Sequence, residues 1–139
     1  MNNSFSINIA KWVKDSSDDI ETLQKAIILE LFTSVILDTP VGTSDPSRSY
    51  VGGRLRGNWI ISSDEPANGT FDVIDPDGTK TTKKVEDFVS KIDFKKDVSL
   101  FLTNNLPYAY RIEYDGWSHT KAPEGMVRKN FIRITNNLR

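Results

Sequence analysis

The chain has 139 residues, a net charge of −1, 37% hydrophobic and 27% charged residues, and no cysteine. That length suits a single domain, residues 1–139, with a core of ordinary size and argues against two. The near-zero charge excludes a global field toward nucleic acid or an anionic membrane, and the missing cysteine excludes disulfides, thiolate nucleophiles and cysteine-held zinc or iron–sulfur sites.

The opening MNNSFSINIAKWVKD has no basic segment followed by an apolar run and no small-residue cleavage site, so no secretion signal is read. Ser17 or Asp18 is the expected N-cap of a first long helix, with Asp19 and Glu21 in the turn where the helix dipole favours negative charge. Phe5, Ile9, Trp12 and Val13 form a separate, short packing segment upstream of it. Ile20, Leu23, Ile27, Leu31 and Val35 recur at three- and four-residue steps, and Ile28, Leu29 and Phe32 widen that stripe, so the helix is expected to be buried on more than one side. Its most apolar run, Ala26 to Phe32, is interrupted by Glu30 and is too short to cross a bilayer. The expectation is a soluble protein made in the cytoplasm, with no membrane partner. Pro40 disfavours helical backbone at Thr39 and sets the helix end near Asp38.

Residues 40–57, PVGTSDPSRSYVGGRLRG, read as a long loop rich in proline, glycine and serine, of a length that tends to be functional. A strand is predicted from Asn58, with Trp59 and Ile61 on one face and Phe71 to Asp75 as its hairpin partner, closed by the turn Asp75-Pro76-Asp77-Gly78. Val85, Phe88, Val89 and Ile92 predict a short amphipathic helix, and Val98, Leu100 and Leu102 a strand in the middle of a sheet. Asn105 is the expected cap of a further short helix, with Pro107 in its first turn and Gly116 closing it. Val127, Phe131, Ile134 and Leu138 fit helical steps from Pro123 onward, although FIRIT alone reads equally as strand. The fold class implied is α+β: a long N-terminal helix packed on a small antiparallel β-sheet, with short helices closing over it.

Catalytic and metal chemistry find little support. His119 is the single histidine, and its neighbour Ser118 is too close in sequence to form a productive pair with it. The Asp75–Gly78 segment resembles part of a calcium loop but lacks the downstream bidentate glutamate, so a turn is expected. Gly52 and Gly53 before Arg54 do not make a phosphate cradle, because Gly57-Asn58-Trp59 opens a strand rather than a helix. Arg48, Arg54 and Arg56 beside Tyr50 and Trp59 make a better case for nucleic acid, since three arginines would meet phosphates. Asp45 and Asp64 dilute that patch, and the alternative is that Arg54 or Arg56 pairs with a carboxylate such as Glu113.

The chain is polarised. From Gly116 onward five Lys/Arg (Lys121, Arg128, Lys129, Arg133, Arg139) face one acid, Glu124, while residues 15–21 carry Asp15, Asp18, Asp19 and Glu21. Between these poles lies a crowded aromatic stretch, Tyr108, Tyr110, Tyr114 and Trp117. On a helix Tyr108 shares a face with Ile112, and Tyr110 shares a neighbouring face with Tyr114. Core packing explains one face; a second aromatic face on so short a helix asks for another surface, and tyrosine is enriched at protein interfaces.

Two longer blocks, DTPVG…YVGGRLRGNW and LTNNLPYAYRIEYDGWSHTKAPEGMVR, resemble the signature blocks of the head–tail joining and tail-completion (neck) proteins of long-tailed bacteriophages. Thr39, Pro40, Val41, Gly53, Arg54, Arg56, Asn58 and Trp59 carry the first. Asn104, Asn105, Pro107, Tyr108, Ala109, Glu113, Tyr114, Gly116, Trp117, Ser118, Ala122, Pro123, Gly125, Met126 and Val127 carry the second. The blocks cover about a third of the chain; Asp115 is inserted before Gly116, and the loop between Gly42 and Gly52 is longer than in the compact family form. The resemblance implies a virion structural protein with no enzymatic activity, cofactor or metal. It would be a homo-oligomeric ring in the neck or tail, between the portal or head-closure proteins and the tail-tube or terminator proteins, around the DNA channel. The motif and interface residues expected are Arg54, Arg56, Asn58, Trp59, Pro107, Tyr108, Tyr110, Glu113, Tyr114, Trp117 and Met126. Arg48 and Arg54 are the expected contacts to genomic DNA in the lumen.

Overall fold

A computed structural model of the chain describes residues 9–43, 47, 52–115 and 124–138, apart from the side chains of 9–14 and 17. In chain order the elements are α1 (Ile9–Asp38), α2 (Arg54–Gly57), β1 (Ile60–Ser63), α3 (Thr79–Ser90), β2 (Leu100–Thr103), α4 (Ala109–Tyr114) and α5 (Arg128–Asn137). The fold is α+β: a long N-terminal helix, a two-stranded antiparallel sheet and shorter helices around them.

The first helix runs 30 residues, about 45 Å, and absorbs the upstream segment from Ile9 that the sequence suggested was separate. No glycine or proline lies between Ile9 and Asp38, so nothing in the backbone interrupts the helix at its polar run, and Ser17 and Asp18 sit inside it rather than at a cap. It stops where Pro40 requires: the Thr39 N–H bonds the Ile36 carbonyl at 3.2 Å, and the Thr39 hydroxyl donates to the Val35 carbonyl.

Among the described side chains of α1, those of its C-terminal part enter the core; Phe5 and the side chains of Trp12 and Val13 lie outside the described residues. Phe32, Val35 and Ile36 are buried against Leu55, Trp59, Val85, Val89, Leu106, Ala109 and Met126, with Ile28, Leu29 and Leu31 packed at the margin. Ile61, Leu100 and Leu102 bring both strands onto the same cluster. Full burial of an aliphatic side chain such as Ile36 or Val89 is worth about 1.5–3 kcal/mol, so this cluster is the main source of stability.

The sheet differs from the expected hairpin. β1 pairs with β2, Ile60 opposite Thr103 and Ser63 opposite Leu100, so each strand has one sheet neighbour and Leu100–Thr103 is not a central strand. Phe71 to Asp75 is not a strand. It lies beside residue 58 because the Asn58 carboxamide accepts from the Phe71 N–H at 2.7 Å and donates to the Phe71 carbonyl at 3.0 Å. One side chain thus makes the pair of bonds a neighbouring strand would have made.

The turn at Asp75 launches α3 rather than closing a hairpin. The buried Asp75 carboxylate accepts from the Thr81 N–H and hydroxyl, at 2.8 and 2.7 Å, and Asp77 accepts from the Thr79 N–H at 3.0 Å. Both aspartates therefore serve free amides of the helix start, as N-terminal capping requires. At the other short helices the capping differs from expectation. Tyr108, not Asn105, holds the N-cap position of α4, Pro107 lies in the turn before it, and the Asn105 amide donates instead to the carbonyls of Ala67 and Gly69. α5 begins at Arg128 and takes in FIRIT as helix; Gly116 and Pro123 lie outside the described residues. Residues 54–57 at the end of the expected long loop are helical, as α2.

Candidate functional site

The first block is a polar knot around the end of α1. Trp59 is buried, and its indole N–H donates to the Thr39 hydroxyl at 2.7 Å. Arg56 reaches across from α2 and gives its guanidinium to the carbonyls of Thr39 (3.2 and 2.7 Å) and Leu37 (2.8 Å), and to that of Pro76. The Leu37 and Thr39 carbonyls lie at the C-terminal end of α1, where intrahelical donors are lacking and the dipole is negative. Among the described residues Arg56 pairs with no carboxylate, Glu113 included, contrary to expectation. Its donors are held within the fold, which removes it from the arginine set proposed for nucleic acid. Asn58, fully buried, ties Phe71 as described and donates also to the Arg54 carbonyl at 2.7 Å. Gly53 makes the turn possible: its φ is 110°, and a Cβ there would stand 2.7 Å from the Pro76 nitrogen.

The second block is organised by Glu113. This buried carboxylate accepts from the N–H groups of Met126, Val127 (2.9 Å) and Arg128 (3.0 Å), and from the Arg128 guanidinium at 3.0 Å. The Arg128 guanidinium also bonds the Glu113 carbonyl. Burial pushes the Glu113 pKa up, but the amides of Val127, Met126 and Arg128 and the Arg128 side chain together outweigh it and hold the group below the usual glutamate value. Gly125, φ 82°, lets the chain pass so close that a Cβ would lie 2.8 Å from the Glu113 carboxylate. Met126, next in sequence, is buried in the core. The two blocks meet at Asn104, whose amide donates to the Leu55 carbonyl at 2.8 Å.

The expected site residues therefore separate into two groups. Arg56, Asn58, Trp59, Glu113 and Met126 face into the fold and hold it together. Arg54, Pro107, Tyr110 and Tyr114 are exposed, and Tyr108 is half-buried against the core together with Ile112. Tyr110 and Tyr114 are 65% and 55% exposed, and their rings pack against each other, tilted by 43° with centroids 4.7 Å apart. The Arg128 guanidinium covers the Tyr114 ring at 4.9 Å. Arg128 thereby links the buried carboxylate to the exposed rings. No local spacing in the sequence pointed to it, because its partners Glu113 and Tyr114 lie on a different helix, fifteen and fourteen residues away.

Arg48, Trp117, Ser118 and His119 lie outside the described residues. Among the described residues no group of three His, Asp or Glu side chains could hold a metal ion, and no helix is long and apolar enough to cross a membrane. Comparison of the chain with protein-family models, with curated proteins and with solved structures gave no match.

Proposed function

We propose that this chain is a structural subunit of the neck or tail end of a long-tailed bacteriophage, joining head to tail as one member of an oligomeric ring around the DNA channel. The observation that carries the reading is the Tyr110–Tyr114–Arg128 cluster. Two exposed rings and a guanidinium are fixed from behind by the buried Glu113, within the second of the two blocks that resemble this family. Rigid tyrosines backed by a held arginine suit a protein contact, because they cover large area while losing little side-chain freedom. The neighbours in this reading are further copies of the chain, portal or head-closure proteins on one side and tail-tube or terminator proteins on the other. Arg54, exposed on α2, and Arg48 would meet the genome in the lumen without reading its sequence.

The test is complementation in a phage or prophage from which the gene has been deleted. The deletion is expected to leave filled heads and complete tails as separate particles in electron micrographs, and the wild-type chain to restore joined virions. A Tyr110→Ser/Tyr114→Ser chain, folded by circular dichroism, is expected to leave them separate. Joined, infectious particles without the chain overturn the function; wild-type yield with the double variant overturns the role given to the rings.

A further inference from the structure

We infer that the exposed N-terminal stretch of α1 around Ile20 and Leu23 docks into the cleft between α3 and β1 of a second copy of the chain. The inference rests on the ring reading and specifies its contact. Ile20 and Leu23 are 58% and 57% exposed on a helix whose core contacts, among its described side chains, begin at Ile28. Its other face is held, Asp18 to Lys95 and Lys25 over the Phe94 ring, but large aliphatic side chains left in water on this one call for a cover. Further along the same strip the cover is α5. Arg133 bonds Glu30 and Ser34, and Asn130 and Lys129 bond Asp38, at positions seven, eleven and fifteen residues beyond Leu23. α5 ends at Asn137, and Leu23 lies past the part of α1 it binds.

The charges choose the partner. Of the acids at 15–21, Asp18 bonds Lys95 and Glu21 bonds Lys25, while Asp15 and Asp19 remain exposed, eight and four residues before Leu23 respectively. Two such stretches side by side would set acid against acid, which argues against a symmetric pairing. The basic residues of α5 are already matched, Arg128 with Glu113, Lys129 with Asp38 and Arg133 with Glu30. A different surface offers both what the strip needs: a cleft of about 210 Å³ lined by Trp59, Ile60, Ile61, Phe71 and Phe88, with Lys84 at its mouth. Lys80 stands four residues from Lys84 on the exposed side of α3, and among the described residues neither has an acidic partner. Ile20 and Leu23 fill the apolar floor, and Asp15 and Asp19 meet the two lysines. Because strip and cleft are different surfaces of one chain, each copy has one of each, and repetition around an axis closes a ring.

The experiment is mass in solution by light scattering, over a range of concentrations, for the full chain and two variants. Ile20→Ser/Leu23→Ser removes the strip, and Phe71→Ser/Lys84→Glu spoils the cleft; all four residues are exposed, so both variants are expected to melt within a few degrees of wild type. The wild-type chain is expected to be a multimer and each variant a monomer. An equimolar mixture of the variants is expected to give a dimer and nothing larger, since one intact strip and one intact cleft remain between them. A multimeric wild type whose mass ignores both substitutions overturns the contact and leaves the ring reading standing. Cover by another part of the same chain would show as unchanged mass with lowered melting temperature, and also overturns it. A wild type that is monomeric at every concentration overturns it too, and head–tail complementation then decides the function separately.

Discussion

At the C-terminus of α1 a cation, Arg56, gathers the carbonyls of Leu37 and Thr39 with that of Pro76; at the N-terminus of α5 an anion, Glu113, gathers the amides of Met126, Val127 and Arg128. Each supplies the groups a helix end leaves without partners, and each carries the sign that the helix dipole favours at that end. They differ in two respects. Arg56 binds neutral carbonyls. Glu113 titrates, and it has a charged partner in Arg128. The pairing teaches that a motif can be dense in charge while its charges are fastened inward, leaving the neighbouring uncharged rings to face outward.

The largest effect expected from breaking this pattern is at the anion. Glu113→Ala leaves three amides at the start of α5 without an acceptor and Arg128 without its carboxylate, and is expected to cost about 3 kcal/mol. In a chain of this size that is a melting temperature lower by roughly 10 °C, read by circular dichroism. Glu113→Gln, which keeps one acceptor oxygen, should recover part of the loss. A variant within one or two degrees of wild type would mean that the carboxylate does not hold α5.

Next comes the cation. Arg56→Lys keeps the charge but cannot span carbonyls from three residues with a planar fork, so a loss of about 2 kcal/mol is expected. The difference between the two centres then appears as a pH dependence. The Glu113 pKa is lower in the folded chain than in the unfolded one, so through that interval the unfolded chain binds more protons. Its contribution is present in full above the usual glutamate pKa and is lost as pH falls from about 5 through the lowered folded value. Unfolding midpoints measured down the acid limb should fall less steeply for Glu113→Gln than for wild type. Arg56→Lys should start lower and run parallel to wild type, and equal slopes for all three would remove Glu113 as a source of acid sensitivity.

What the sequence disclosed depended on how local the physics was. The α3 positions Val85 and Val89 and the later part of the α1 stripe, Ile28 to Val35, were legible, because helical period and burial agree there; the start of that stripe, Ile20 and Leu23, is exposed instead. The separation of α4 into a face with Tyr108 and Ile112 and a face with Tyr110 and Tyr114 was legible for the same reason. The partner of β1 was not. Phe71 to Asp75 has a strand-like composition and a turn behind it, and only the Asn58 carboxamide, thirteen residues earlier, takes the place of the ladder. The reach of Arg56 to residues on both sides of it, and of Glu113 to the turn before α5, spans 13–20 residues and leaves no periodic trace. Charged residues in a motif invited assignment to a partner, and the fold had used them itself.

The smallest effect on stability is expected where the exposed rings are, and that smallness is informative. Tyr110 packs on Tyr114, and Tyr114 lies under Arg128, with neither ring in the core cluster, so Tyr110→Ser should change stability by less than about 0.5 kcal/mol. Tyr114→Ser also removes the ring under the Arg128 guanidinium, which is half-exposed and retains Glu113, so its loss should remain within about 1 kcal/mol. Thermal unfolding of both variants beside Glu113→Ala would therefore separate the two faces of one short helix by a factor of three or more. If either tyrosine variant destabilised the chain as much as Glu113→Ala, the rings would be part of the scaffold, and the contact surface would have to be sought elsewhere. If both were neutral, aromatic area is being kept in water on a rigid mount without benefit to the isolated fold, and its cost is accounted for only by a partner that covers it.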